Sequence, residues 1–113
     1  MPYINVTTTE KIENAAAQIL KEKLGEAISI IPGKSEKWLM INLDGEKTLS
    51  LGGSFESCAI AQISIYGSST GEIYDRLTAE VTKILNEFLN IPKDRIYVSY
   101  SECKYWGFAG SNF

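Results

Sequence analysis

CAIAQISIY (Cys58–Tyr66) decides the fold. Ala59, Ala61, Ile63 and Ile65 fall on one face of an extended chain, the alternation of a half-buried strand. Gly67–Thr70 reads as a loop, and Ser69 with Glu72 fits a capping box at the start of a helix. Ile73, Leu77, Val81, Ile84, Leu85 and Phe88 then recur at helical spacing as far as Asn90. Pro92 ends that run, and RIYVSY (Arg95–Tyr100) reads as the closing strand. Strand, helix and strand in this order predict a β-α-β unit with a right-handed crossover.

Working towards the N-terminus, the same order recurs. YINVT (Tyr3–Thr7) is rich in strand formers. Thr8 or Thr9 is placed to cap a helix, with Glu10 in its first turn. Ile12, Ala16, Ile19, Leu20, Leu24, Ala27 and Ile31 form its apolar stripe, and Pro32-Gly33 stops it. KWLMINLD (Lys37–Asp44) reads as a strand with Leu39, Ile41 and Leu43 on one face, closed by an Asp44-Gly45 turn. The expected fold is therefore α+β: two β-α-β repeats forming one sheet with two helices on one face, in a single domain over residues 1–113. The other sheet face is mixed: Trp38, Met40, Asn42, Ile60, Gln62, Ser64, Tyr97 and Ser99. It is too apolar for water and too polar for a dry core, so further subunits are expected to cover it. The tail brings Tyr105, Trp106, Phe108 and Phe113 without a helical pattern, and is expected to dock, with a neighbouring subunit's sheet edge as one place for it.

Composition excludes several classes. The net charge is -3 and basic residues form no run, which argues against a nucleic-acid or anionic-membrane partner. No apolar stretch approaches the roughly 20 residues of a membrane span. MPYINVTTTE (Met1–Glu10) lacks the pattern of a signal peptide, so a cytoplasmic location is expected, with leaderless export left open. Histidine is absent, which removes His-based triads, HExxH zinc sites and His general bases. Cys58 and Cys103 stand at no metal-ligand or redox spacing, and neither a metal nor a cofactor is expected.

Pro2 offers the chemistry instead. Initiator methionine is usually removed before a small residue, and that leaves a secondary amine opening a strand. A terminal amine titrates near 8 in water. Apolar burial and a nearby ammonium both disfavour its cation. A fall of about two units would make it mostly free base at neutral pH, where a general base works best. Lys34 follows the Pro32-Gly33 stop and can supply that ammonium while binding a substrate carboxylate. Gly52-Gly53-Ser54 reads as a turn between strands. Tyr97, on the closing strand, can polarise a carbonyl oxygen, although a packed strand tyrosine is the commoner case.

These pieces, in this order, resemble the macrophage migration inhibitory factor family of the tautomerase superfamily. The matching pieces are Met1-Pro2 before a strand, Gly33-Lys34, Gly52-Gly53-Ser54 with Cys58-Ala59 after it, Ile91-Pro92-Lys93-Asp94-Arg95-Ile96-Tyr97, and Gly110-Ser111-Asn112-Phe113. The resemblance implies a homotrimer with its sheets around a central channel and active sites between subunits. It implies Pro2 as the base that moves a proton between carbon and oxygen of a phenylpyruvate-like α-keto acid. Lys34 and the backbone of Tyr66 would meet the substrate carboxylate, and Tyr97 would come from the neighbouring subunit. Ser99, Trp38, Trp106 and Phe113 complete the implied substrate-binding set. Ser99 stands where many relatives have Asn, Trp38 where Tyr is common, and Trp106 where a smaller aliphatic is frequent. Ala61 breaks the CxxC that would begin at Cys58, which argues against thiol–disulfide exchange. Related dehalogenases use extra arginines, and Arg76 and Arg95 are poorly placed for that role. A signalling protein with a vestigial pocket is the alternative of a different class.

Overall fold

A computed structural model describes residues 1–113. The sheet is built around β1 (Pro2–Thr8), which runs antiparallel to β3 (Ala59–Tyr66), from Pro2 opposite Ile65 to Thr8 opposite Ala59. On its other side β1 runs parallel to β2 (Met40–Asp44), with Tyr3 opposite Met40. β3 runs parallel to β4 (Ile96–Cys103), giving the order β2-β1-β3-β4. Each β-α-β repeat thus supplies a parallel pair, and the two repeats meet through the antiparallel pair at the centre.

Alternation along the strands puts Ile4, Val6, Ala61, Ile63 and Ile65 on the buried face. Both helices cover it. α1 (Asn14–Ala27) contributes Leu20, Leu24 and Ala27, and α2 (Gly71–Leu89) contributes Leu77, Val81, Ile84, Leu85 and Leu89. Leu39, Ile41 and Leu43 pack at the margin of this core, as their common face predicts. The other face carries a row of amides: Asn42 Nδ2 donates to Asn5 Oδ1 at 2.9 Å, and Asn5 Nδ2 donates to Gln62 Oε1 at 3.3 Å. No helix is long and apolar enough to cross a membrane.

Several boundaries differ from the sequence reading, among them the end of α1 at Ala27, where a 3-10 turn over Ile28–Ile30 follows, and the start of β4 at Ile96 instead of Arg95. Thr8 and Thr9 do not cap α1, because their hydroxyls serve the β1–β3 joint. Thr8 Oγ1 donates to the Cys58 carbonyl at 2.8 Å, and the Cys58 N–H donates to Thr9 Oγ1 at 3.1 Å. The helix starts later, after Glu13, without a side-chain cap. The cap of α2 is Thr70 rather than Ser69: the Ile73 N–H donates to Thr70 Oγ1 at 3.2 Å, while the Ser69 N–H donates to Tyr74 Oη at 3.0 Å. Replacing Thr70 with alanine is expected to cost about 1 kcal/mol in urea unfolding. Ser69→Ala should cost far less, since only its backbone is engaged. Lys37 and Trp38 lie outside β2, in a 3-10 turn over Glu36–Trp38 closed by the Leu39 N–H to the Glu36 carbonyl at 3.1 Å. The register explains it: with Tyr3 opposite Met40, strand β1 has run out before residue 38. β4 in turn extends to Cys103, beyond Tyr100, because β3 offers it a partner along its full length.

Gly52 and Gly53 both have positive φ, 61° and 79°, and Leu51 and Ser54 exchange backbone hydrogen bonds across them. This is the predicted turn, in the primed geometry that glycine permits. Arg95 pins the segment, donating to the carbonyls of Leu51, Ser54, Glu56 and Ser57.

Candidate active site

Pro2 is buried at the first position of the central strand. The residue before it continues the ladder: the Tyr66 N–H donates to the Met1 carbonyl at 2.9 Å. Tyr66 also faces Lys34, whose Nζ donates to the Tyr66 carbonyl at 2.8 Å. Both backbone groups of Tyr66 are therefore engaged at this end of the sheet. Lys34 is delivered there by the turn after α1, in which Gly33 has φ 83° and the Lys34 N–H donates to the Ile31 carbonyl at 3.1 Å. No carboxylate neutralises it: the ion pairs of the chain are Lys11 with Glu13 and Lys47 with Asp44.

The electrostatic consequence falls on the terminal amine. Burial, and then the adjacent Lys34 ammonium, lower the amine of Met1 below its ordinary value of 8.0. Both causes penalise the cation of the amine that Met1 carries.

A cavity of about 800 Å³ opens beside Pro2, with Trp38, Ser64, Cys103, Trp106 and Phe108 in its wall. The tail builds much of that wall. β5 (Gly107–Phe108) and β6 (Ser111–Asn112) form a small hairpin through Ala109 and Gly110, both with positive φ. The Phe113 N–H donates to the Trp106 carbonyl at 3.0 Å. An aromatic chain results: Trp38 meets Phe108 edge-on at 5.4 Å, Phe108 stacks with Phe113 at 6.4 Å, and Phe113 meets Tyr66 at 5.6 Å. Trp106, Phe108 and Phe113 thus make contacts within their own chain, while Phe108 and Phe113 stay more than half exposed there.

Pro2, Lys34, Tyr66, Trp38, Trp106 and Phe113 consequently gather at one end of the sheet. Tyr97 and Ser99 do not. Tyr97 lies opposite Ile60 and Ser99 opposite Gln62, whereas Pro2 lies opposite Ile65. Five residues of β3 separate the levels of Pro2 and Tyr97, about 17 Å at the rise of a strand. Within one chain they form two separate places. Tyr97 borders a small apolar cavity of about 120 Å³ with Leu51 and Cys58.

Lys37, Ser64 and Cys103 in the cavity wall went unnoticed in the sequence as site residues. Ser64 was legible in principle, since it sits on the mixed face two residues before Tyr66. Cys103 depended on where β4 stops, and Lys37 on the turn that replaces the expected strand.

Comparison with known proteins agrees over the full length. The family model "Macrophage migration inhibitory factor (MIF)" matches residues 1–113. A macrophage migration inhibitory factor homolog of Brugia malayi is 27% identical over 115 residues, covering 100% of this chain and 99% of that protein. The macrophage migration inhibitory factor of Xenopus laevis is 25% identical over 88% of this chain and 86% of its own length. Among solved structures, MIF2 of Leishmania major superposes with a TM-score of 0.93 at 23% identity, covering 100% of this chain and 97% of that one. A homologue from Prochlorococcus marinus superposes with a TM-score of 0.81 at 27% identity, covering 98% of each chain.

Proposed function

The chain belongs to the macrophage migration inhibitory factor family, and we propose that it is a keto–enol tautomerase of phenylpyruvate-like α-keto acids with the Pro2 amine as general base. The observation that carries this reading is the setting of the first two residues: a terminal amine held beside an unneutralised lysine, at the mouth of an aromatic cavity. Removal of Met1 makes Pro2 the terminus and frees the Tyr66 N–H from its Met1 acceptor. The Met1 carbonyl oxygen marks the place that a substrate carboxylate oxygen then takes, with Lys34 Nζ at hand as a second, charged donor.

The carboxylate so held presents the substrate's methylene carbon to Pro2. The pyrrolidine ring fixes the direction of the lone pair. The amine takes a proton from that carbon as electrons move onto the carbonyl oxygen, and the Pro2 ammonium so formed gives that proton up to the oxygen, directly or through water, to leave the enol and the free amine. Nothing is consumed, and the base is regenerated. Trp38, Trp106 and Phe113 surround the substrate ring. Tyr97 and Ser99 enter from a neighbouring subunit of a homotrimer, which removes the separation between Tyr97 and Pro2 within one chain. We place this activity in the cytoplasm.

The test begins with the intact mass, which reports whether Met1 is gone, followed by enolisation of phenylpyruvate. Because the base works unprotonated and its pKa is lowered, kcat/KM is expected to fall on the acid side through a pKa below about 8, and to be level above it. Protein shown to lack Met1 that leaves phenylpyruvate unchanged would refute the reading.

A further inference from the structure

The cavity beside Pro2 contains one charged side chain, Lys37, and the chemistry just described leaves it idle. Its Nζ lies 5.2 Å from the centre of the Trp38 ring. It has no acidic partner, since both ion pairs of the chain lie elsewhere. The neighbouring acid in sequence, Glu36, is turned away: its carboxylate fills the space that a Cβ on Gly25 of α1 would need. The cavity also reaches Met1, whose amine lies beside Lys34.

One unneutralised ammonium, Lys37, thus lines the apolar space, and a second, Lys34, lies just outside it beside the Met1 amine. They are three residues apart, so their Cα atoms are separated by no more than about 11 Å. Trp38, Trp106 and Phe108 are among the residues of the cavity wall. A simple keto acid has one carboxylate and needs one of these cations. Bringing an apolar ligand up to the second would leave an ammonium partly desolvated with nothing to pair it.

We propose that Lys37 selects a dianionic keto acid, with the α-carboxylate at Lys34 and the Tyr66 N–H, a ring or apolar spacer against Trp38 and Phe108, and a second carboxylate at Lys37. The reaction assigned to this substrate rests on the tautomerase reading; the binding preference does not.

The chain's two tryptophans, Trp38 and Trp106, both line the cavity, so occupancy reads out as a change in intrinsic fluorescence. The probes are 3-(4-carboxyphenyl)propanoate and 3-phenylpropanoate, titrated into protein lacking Met1. Neither has a keto group, so binding is measured apart from turnover. The dianion is expected to bind about 5- to 20-fold more tightly, the span of a hydrogen bond to a charged group at a partly open site. In Lys37→Ala that ratio should fall to near 1. A ratio near 1 in the wild type, or an undiminished ratio in the variant, would overturn the proposal. A parallel comparison of 4-carboxyphenylpyruvate with phenylpyruvate should show the same preference in kcat/KM. Should neither be enolised while the binding preference holds and depends on Lys37, the tautomerase reading falls and the role of Lys37 stands. Should both be enolised and both probes bind equally, the reading stands and the role of Lys37 falls.

Discussion

Pro2→Gly is expected to lower kcat/KM for phenylpyruvate by about 10²- to 10⁴-fold, the usual contribution of a positioned general base. Glycine still leaves an amine at the terminus once Met1 is removed, so the variant does not simply delete a nitrogen. What it deletes is the ring. The glycine nitrogen turns freely about its bond to Cα, and its lone pair is no longer directed at the substrate carbon. The fold should tolerate the change, because proline has no N–H to give to the ladder with β3. Far-UV circular dichroism and a melting temperature close to the wild type would establish that. An unchanged rate in a folded, correctly processed variant would mean that the pocket is not a tautomerase site and would favour a pure binding role.

Lys34→Ala is the second large effect. A hydrogen bond to a charged group contributes about 1.5–3 kcal/mol, which corresponds to a loss of roughly 10- to 100-fold in kcat/KM. The loss should appear mainly in KM, since the carboxylate is held alike in the substrate and along the reaction path. The same substitution also removes a cation from beside the amine. With the repulsion gone, the amine gains protons more readily, and the acid limb of the pH profile moves to higher pH. The two effects report different things: the moved limb reports the charge of Lys34 beside the amine, and the raised KM reports its contact with the substrate carboxylate. A variant with both parameters unaltered would remove Lys34 from the site.

The parts of the fold that could be read in advance are those fixed by periodicity. The alternation of Ala59, Ala61, Ile63 and Ile65 and the stripe from Ile73 to Phe88 each point to one side, and both lie in the core. The boundaries were less legible, because they depend on partners distant in sequence. Thr8 and Thr9 are good capping residues, yet Cys58, some fifty positions away, uses their hydroxyls. Lys37 and Trp38 carry a plausible strand pattern, but a strand needs a neighbour, and β1 has ended before their level.

The candidate site divides in the same way. Pro2, Lys34 and Tyr66 were legible through the ordered motifs around them, and they gather at the end of β1. The separation of Tyr97 from Pro2 was hidden in the pairing register, which no single segment reveals. The C-terminal hairpin was equally obscure. Its positive-φ turn rests on Ala109 as well as Gly110, and Ala109 gives no turn signal of its own.

The central position of β1 has a bearing on how the molecule fluctuates. Catalytic groups are commonly carried on loops, which open and close cheaply and often. Here the proposed base, Pro2, is the leading residue of a strand flanked on both sides, with a buried side chain. Pro2 is the end residue of that strand, so its freedom is that of a fraying terminus, restrained by the burial of its ring. The C-terminal hairpin is the other exposed margin of this end of the sheet, so any rearrangement that admits a ligand is confined to a terminus and a two-stranded ribbon, with the four-stranded sheet unchanged.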